Sequence, residues 1–112
     1  PYGGGTTTCD ALWMSVPVVA ARGDLPVSRS AASLLEALGL SEWIAPSIDH
    51  YVDVAVRRAQ DHEALVLLHA SLRGRLATSP LSDVARFAPD FGEAVRRAWL
   101  RPRAEAIKSG TA

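Results

Sequence analysis

The sequence predicts an α/β fold that is mostly helical, the later half of a doubly wound sheet with two short parallel strands. Three observations predict it. A glycine run, Gly3-Gly4-Gly5, leads through threonines into a short apolar segment. Two strand-sized apolar runs follow, with a helical stretch between them, which is the β-α-β order of a parallel sheet. From about Ser47 onward only helical periodicity remains.

Taken in order, Thr6, Thr7 and Thr8 precede Asp10-Ala11-Leu12-Trp13-Met14, which reads as a short helix. Threonine caps helix starts well, and an acid in the first turn suits the dipole. Ser15-Val16-Pro17 ends it, because the residue before proline avoids the α region. Pro17 to Ala20 is a buried strand with proline at its first position. Arg22 to Pro26 is a loop. Ser28 or Ser30 caps the next helix, which places Leu34, Leu35 and Leu38 at helical spacing and stops at Gly39. Trp43-Ile44-Ala45 is the second strand, ended by Pro46.

The rest reads as three helices. Ile48, Tyr51, Val52, Val54, Ala55 and Ala59 mark one amphipathic segment. Asp61 opens another, with Leu65, Leu68, Leu72 and Leu76 on one face, and Ser79-Pro80 breaks it. A last helix from about Asp83 carries Phe87, Phe91, Val95 and Trp99 at four-residue steps. Pro102 is expected to bend or end it, and the tail after Ile107 to fray.

Composition narrows the function classes. The chain has 112 residues and a 48% apolar fraction, enough for one domain with a core. Lys+Arg and Asp+Glu both number 12. That balance gives no reason to expect nucleic acid or an anionic membrane as partner. The arginines are spread over several helices, which also argues against a helix-turn-helix DNA reader. Cys9 is the single cysteine, so an internal disulfide and a multi-cysteine zinc site are excluded. A reducing, cytoplasmic compartment is expected. No apolar run is long enough to span a bilayer. Pro1 to Gly5 has neither the basic start nor the apolar core of a signal peptide. The chain reads as a piece of a longer protein, opening inside an active-site loop.

The strongest chemical signal is Gly3-Gly4-Gly5-Thr6-Thr7-Thr8-Cys9-Asp10. Glycines let backbone approach a ligand, and the free N–H groups of a helix start suit a phosphate. Threonine hydroxyls add uncharged donors, and Asp10 can accept from ribose hydroxyls. The bland alternative is a glycine turn with a threonine cap. The pattern is neither GxGxxG nor a P-loop, since no lysine follows the glycines.

Other residues favour plain roles. Cys9 has no basic neighbour and reads as a packed helix residue. His50, His62 and His69 show no metal-ligand spacing; Val66 stands where HExxH needs its second histidine. Arg29 suits a structural salt bridge at a helix start as well as a substrate contact. Trp13, Trp43 and Trp99 read as core or packing residues. Arg96, Arg97, Arg101 and Arg103 read as a solvated basic face.

Gly4 to Val19 resembles the nucleotide-binding stretch of the O-linked N-acetylglucosamine transferase and SPINDLY family. There the pattern runs Asn-Gly-His-Thr-Thr, an acidic residue, Leu-Trp, a small residue, Gly, then Pro-Val-Val. The likeness continues through Gly23-Asp24, Ser28 to Ser33, Leu38-Gly39-Leu40, Tyr51-Val52, Ala55-Val56 and Ser79-Pro80-Leu81 to the aromatic last helix.

The resemblance implies a GT-B glycosyltransferase: two Rossmann-like lobes with the donor between them, usually after tetratricopeptide repeats. Residues 1–112 would be the C-terminal part of the donor lobe, helical from about 47. By motif position, Gly4, Gly5, Thr6 and Thr7 match the diphosphate-binding residues and Asp10 the ribose contact. No catalytic residue falls in the chain, and no metal or other cofactor is implied. The implied partners are a nucleotide-sugar donor, UDP-GlcNAc, a protein or peptide acceptor, and the rest of the enzyme. The implied reaction transfers N-acetylglucosamine to protein Ser or Thr. A non-catalytic helical interaction module with a relic nucleotide turn is the alternative.

The chain departs from the family pattern at four places. Gly5 stands for a histidine, Gly3 for an asparagine, Ser15 for a glycine, and Arg22 for a proline.

Overall fold

The structure, a computed structural model, describes residues 2–108, with side chains described through residue 100. Residues up to Ser82 form one compact unit, and those from Asp83 a second.

In the first unit, α1 spans Thr6–Trp13. It starts earlier than the sequence predicts, and no threonine caps it. Gly5 is the N-cap, and its carbonyl accepts from the N–H groups of Thr8 and Cys9 at 3.0 and 3.1 Å. The threonines therefore occupy the first turn itself. Asp10 lies beyond that turn, so the expected acid near the dipole's positive end is absent from it.

The helix closes as a Schellman motif. Ser15 N–H donates to Leu12 at 3.1 Å and Val16 N–H to Ala11 at 2.8 Å. This closure puts Ser15 at φ +62°, in the left-handed region. The same closure ends the second helix, where Gly39 holds φ +69° without a Cβ penalty. The geometry accounts for glycine as the family's residue at the first of these positions. A left-handed serine costs roughly 1–2 kcal/mol, and glycine's extra freedom in the unfolded chain takes back about half of that. Ser15→Gly is therefore expected to stabilise the protein by about 0.5–1 kcal/mol. A higher urea midpoint at unchanged slope checks it.

Two strands follow, β1 at Ala20–Ala21 and β2 at Ile44–Ala45. They pair in parallel, Ala20 with Ile44 and Ala21 with Ala45, as the β-α-β order predicts. Both are shorter than the apolar runs that announce them. Ladder hydrogen bonds form only where the two runs face each other, so Val18 and Val19 stay outside the strand while packing on the core. Trp43 belongs to a 3-10 turn at Ser41–Trp43 rather than to β2.

Between the strands, α2 spans Ser30–Ala37. Neither serine caps it. Ser28 ends a 3-10 turn at Pro26–Ser28 and donates its hydroxyl to the Leu25 carbonyl at 2.8 Å, while Arg29 takes the N-cap position. After β2, turns lead into α3 at Tyr51–Gln60, so the helical half begins slightly later than Ser47. Asp61 caps α4, His62–Ala77, accepting from Ala64 N–H at 3.0 Å. Ser79 ends that helix, its hydroxyl donating to the Leu76 carbonyl at 2.8 Å just before Pro80.

The core lies where α1, α2 and α4 meet the strands. Leu12, Leu35, Leu38, Leu40, Trp43, Leu68, Leu72 and Leu76 are buried together. The α4 leucine face predicted from spacing is the face that packs. On α3 only Val54 is buried; of the expected amphipathic segment Val52 is exposed, as is Ile48 in the turn before the helix. Trp43 is a core residue, but Trp13 and Trp99 are not. The Arg73 guanidinium lies 4.7 Å from the Trp13 ring centroid, which lets an indole remain partly exposed.

In the second unit, α5 spans Val84–Lys108. It continues past Pro102, which does not end it. Residues 109–112, where fraying is expected, lie outside the described residues, as do the side chains of Arg101 and Arg103. Asp83 opens the helix by accepting from Arg86 N–H at 3.0 Å. Phe87 and Phe91 stack with centroids 5.7 Å apart. Arg96, then Arg97, hold the Glu93 carboxyl below its usual range. That support is complete above the ordinary carboxylate pKa and is lost as pH falls through the lowered value.

Candidate functional site

The start of α1 follows from three glycines with different tasks. Gly3 donates its N–H to the Val27 carbonyl at 2.9 Å, which ties the turn to the loop before α2. Gly4 has no room for a side chain: a Cβ there would lie 2.6 Å from Thr8 Oγ1 and 3.3 Å from Thr7 Oγ1. Thr8 is buried, so its hydroxyl has little freedom to move aside. Gly5 is different, with nothing within 4 Å of a Cβ. The space that a larger residue would use at that position is open.

This turn leaves four consecutive backbone donors unspent. The first helical N–H groups with acceptors are those of Thr8 and Cys9, both on Gly5. Among the described residues, the N–H groups of Gly4, Gly5, Thr6 and Thr7 have no protein acceptor. No side chain caps them either. Such a row carries the partial positive charge of the helix start and suits an anion.

The turn borders a cavity of about 660 Å³. Gly3, Gly4 and Thr8 form one part of its wall. Residues after β1, Arg22 to Leu25, and after β2, Pro46 to Ile48, form another. It thus opens at the carboxyl ends of both parallel strands, where open α/β sheets bind ligands. Of the predicted diphosphate residues only Gly4 lines it; Gly5, Thr6 and Thr7 are exposed beside it at the helix start. Asp10 is exposed on α1 and does not line the cavity.

The loop after β1 is tightly folded. A Cβ on Gly23 would lie 2.1 Å from Ser28 Oγ, so only glycine fits. Arg29 Nε donates to the Gly23 carbonyl at 2.7 Å. Arg29 thus fastens this loop, and among the described residues it forms no salt bridge, the one of its two expected roles that the structure speaks to. Arg22, just before, pairs its Nη2 with Glu36 Oε1 on α2. The sequence marked Arg22 only as a departure from the family pattern and gave it no role; the available signal was its place at the end of a strand. Cys9 is partly buried on α1. His69 bonds the Ser15 carbonyl through Nδ1 at 2.7 Å, and His50 bonds Ser47 Oγ at 2.8 Å. Among the described residues, no group of three or more His, Cys, Asp or Glu is placed to hold a metal ion, and no helix is long and apolar enough to cross a membrane.

A parallel pair of strands, covering helices and a helix-start cradle at the strand ends define part of a Rossmann-like GT-B lobe. The chain superposes on an O-GlcNAc transferase mutant from Thermobaculum terrenum with a TM-score of 0.78 and 37% identity. That match covers 88% of this chain and 19% of the other. The model of glycosyl transferase family 41 matches residues 2–91. The chain belongs to glycosyl transferase family 41.

Its relatives bear out the resemblance to the SPINDLY and O-linked N-acetylglucosamine transferase group. It is 40% identical over 101 residues to the probable UDP-N-acetylglucosamine–peptide N-acetylglucosaminyltransferase SPINDLY of Petunia hybrida. Identity to the protein of the same name from Oryza sativa subsp. japonica is 41% over 101 residues. Each match covers 90% of this chain and 11% of the relative. The UDP-N-acetylglucosamine–peptide N-acetylglucosaminyltransferase of Caenorhabditis elegans is 34% identical over 98 residues, 88% of this chain and 8% of that protein. The chain therefore spans about a tenth of the length of the curated relatives it matches.

Proposed function

We propose that this chain supplies part of the donor-diphosphate site of a protein O-glycosyltransferase. The donor is a nucleotide sugar, UDP-GlcNAc, and the acceptor a serine or threonine of a protein. The observation that carries this reading is the row of unspent N–H groups from Gly4 to Thr7, beside a cavity at the strand ends. The diphosphate rests on those N–H groups, and the Thr6 and Thr7 hydroxyls add neutral donors. Asp10, on the next turn, accepts from a ribose hydroxyl. In this reading backbone dipoles and hydroxyls meet the phosphate charge, so no metal is required. The names of the relatives support the donor and the acceptor class. The sugar-transferring base belongs to the rest of the enzyme, and the intact protein works in the cytoplasm.

Replacing Thr6 and Thr7 by valine in the intact protein tests the assignment. Valine keeps the branched shape and removes only the hydroxyls. Each hydrogen bond contributes on the order of 1 kcal/mol, and more to a charged acceptor. UDP affinity, measured by calorimetry, is expected to fall about tenfold or more with the melting temperature kept. Unchanged affinity would remove these threonines from the site and favour a non-catalytic interaction module.

A further inference from the structure

The geometry points to Arg22 as a cationic contact for the donor diphosphate, held in reserve by Glu36. The inference rests on the donor site proposed above and adds a residue to it. Arg22 directly follows β1 and is the only cation among the described residues that line the cavity. It lines the same cavity as Gly3, Gly4 and Thr8 at the start of α1. A guanidinium offers five N–H donors in a planar fork that matches phosphate oxygens. Only Nη2 is engaged, on Glu36; among the described residues the other donors meet no protein acceptor.

The pair is also easy to exchange. The Arg22 and Glu36 side chains are 44% and 46% exposed, and ion pairs so open to water hold weakly. The backbone beneath Arg22 is firm by contrast. Arg29 clamps the Gly23 carbonyl, and Ser28 occupies the space beside Gly23. Asp24 is the one acid among the described residues that line the cavity, and its charge opposes an anion there. That opposition makes an anion in the cavity more dependent on Arg22. When a diphosphate arrives, the guanidinium can engage phosphate oxygens while Glu36 returns to water.

The test titrates UDP, and uridine by competition, into the intact protein carrying Arg22→Ala or Glu36→Gln. Arg22→Ala is expected to weaken UDP about tenfold and leave uridine unchanged, since uridine carries no phosphate. Glu36→Gln is expected to tighten UDP by about two- to fivefold, because it removes the competing carboxylate. A purely structural ion pair would instead make both variants lose affinity, for uridine as much as for UDP. Unchanged UDP affinity in Arg22→Ala, equal losses for UDP and uridine, or weaker UDP binding in Glu36→Gln would overturn the inference. The Thr6/Thr7 valine variant, run alongside, separates the two levels. If it still loses UDP affinity, only the role of Arg22 falls; if it too binds UDP normally, the donor site itself falls.

Discussion

Gly4→Ala in the intact protein is expected to weaken UDP binding by about a hundredfold while most of the fold survives. The new methyl group would sit 2.6 Å from Thr8 Oγ1 and 3.3 Å from Thr7 Oγ1. Thr7 is exposed and can turn away, but Thr8 is buried and cannot do so freely. The turn must therefore move, and Gly4, Gly5, Thr6 and Thr7 move with it. A misplacement of about 1 Å at a preorganised site is enough for a loss of that size. Calorimetry with UDP reads the affinity, and circular dichroism reads the fold. Full affinity in the alanine variant would show that the turn adapts, and that the row of N–H groups does not grip a phosphate in a fixed geometry.

Leu72→Ala is expected to lower stability by about 2–5 kcal/mol. Leu72 is fully buried in the centre of the α4 face that packs with Leu12, Leu35 and Leu68. Truncation there removes transfer free energy and leaves a space that close-packed neighbours fill only in part. The helix α4 packs on α1, so the same side chain supports the helix that carries the candidate site. Urea unfolding is expected to show a lower midpoint at an unchanged slope. A loss below about 1 kcal/mol would contradict a tightly packed seam at this position.

The family resemblance and the order of the helices and strands were legible in the sequence, whereas of the predicted diphosphate and ribose residues only Gly4 lines the cavity. Asp61 as a cap, Gly39 as a stop and the leucines of α4 as a packing face are local signals. Each depends on residues within one or two turns, so chain order alone specifies them. The run Gly4 to Thr7 belongs with these, because a helix start leaves donors free wherever it occurs.

Tertiary structure decided the rest. Helix α1 is capped by Gly5 rather than by a threonine, and the turn before it is tied to Val27, more than twenty residues away. The strands are two residues long because pairing requires both runs to face each other, which neither run encodes alone. Val54 is buried while Val52, two residues away and so on the opposite side of α3, is exposed, although both are apolar. Apolar residues on two sides of a helix do not say which side is covered; only packed neighbours decide it. Arg22 is the sharpest case. In the sequence it is one arginine between alanines and Gly23-Asp24, and only folding pairs it with Glu36 of α2 and sets it on the same cavity as the glycine turn of α1. Local capping and periodicity act within a few residues and survive in the sequence, whereas the cavity and the Arg22–Glu36 ion pair are set by contacts between distant segments and exist only once the chain has folded.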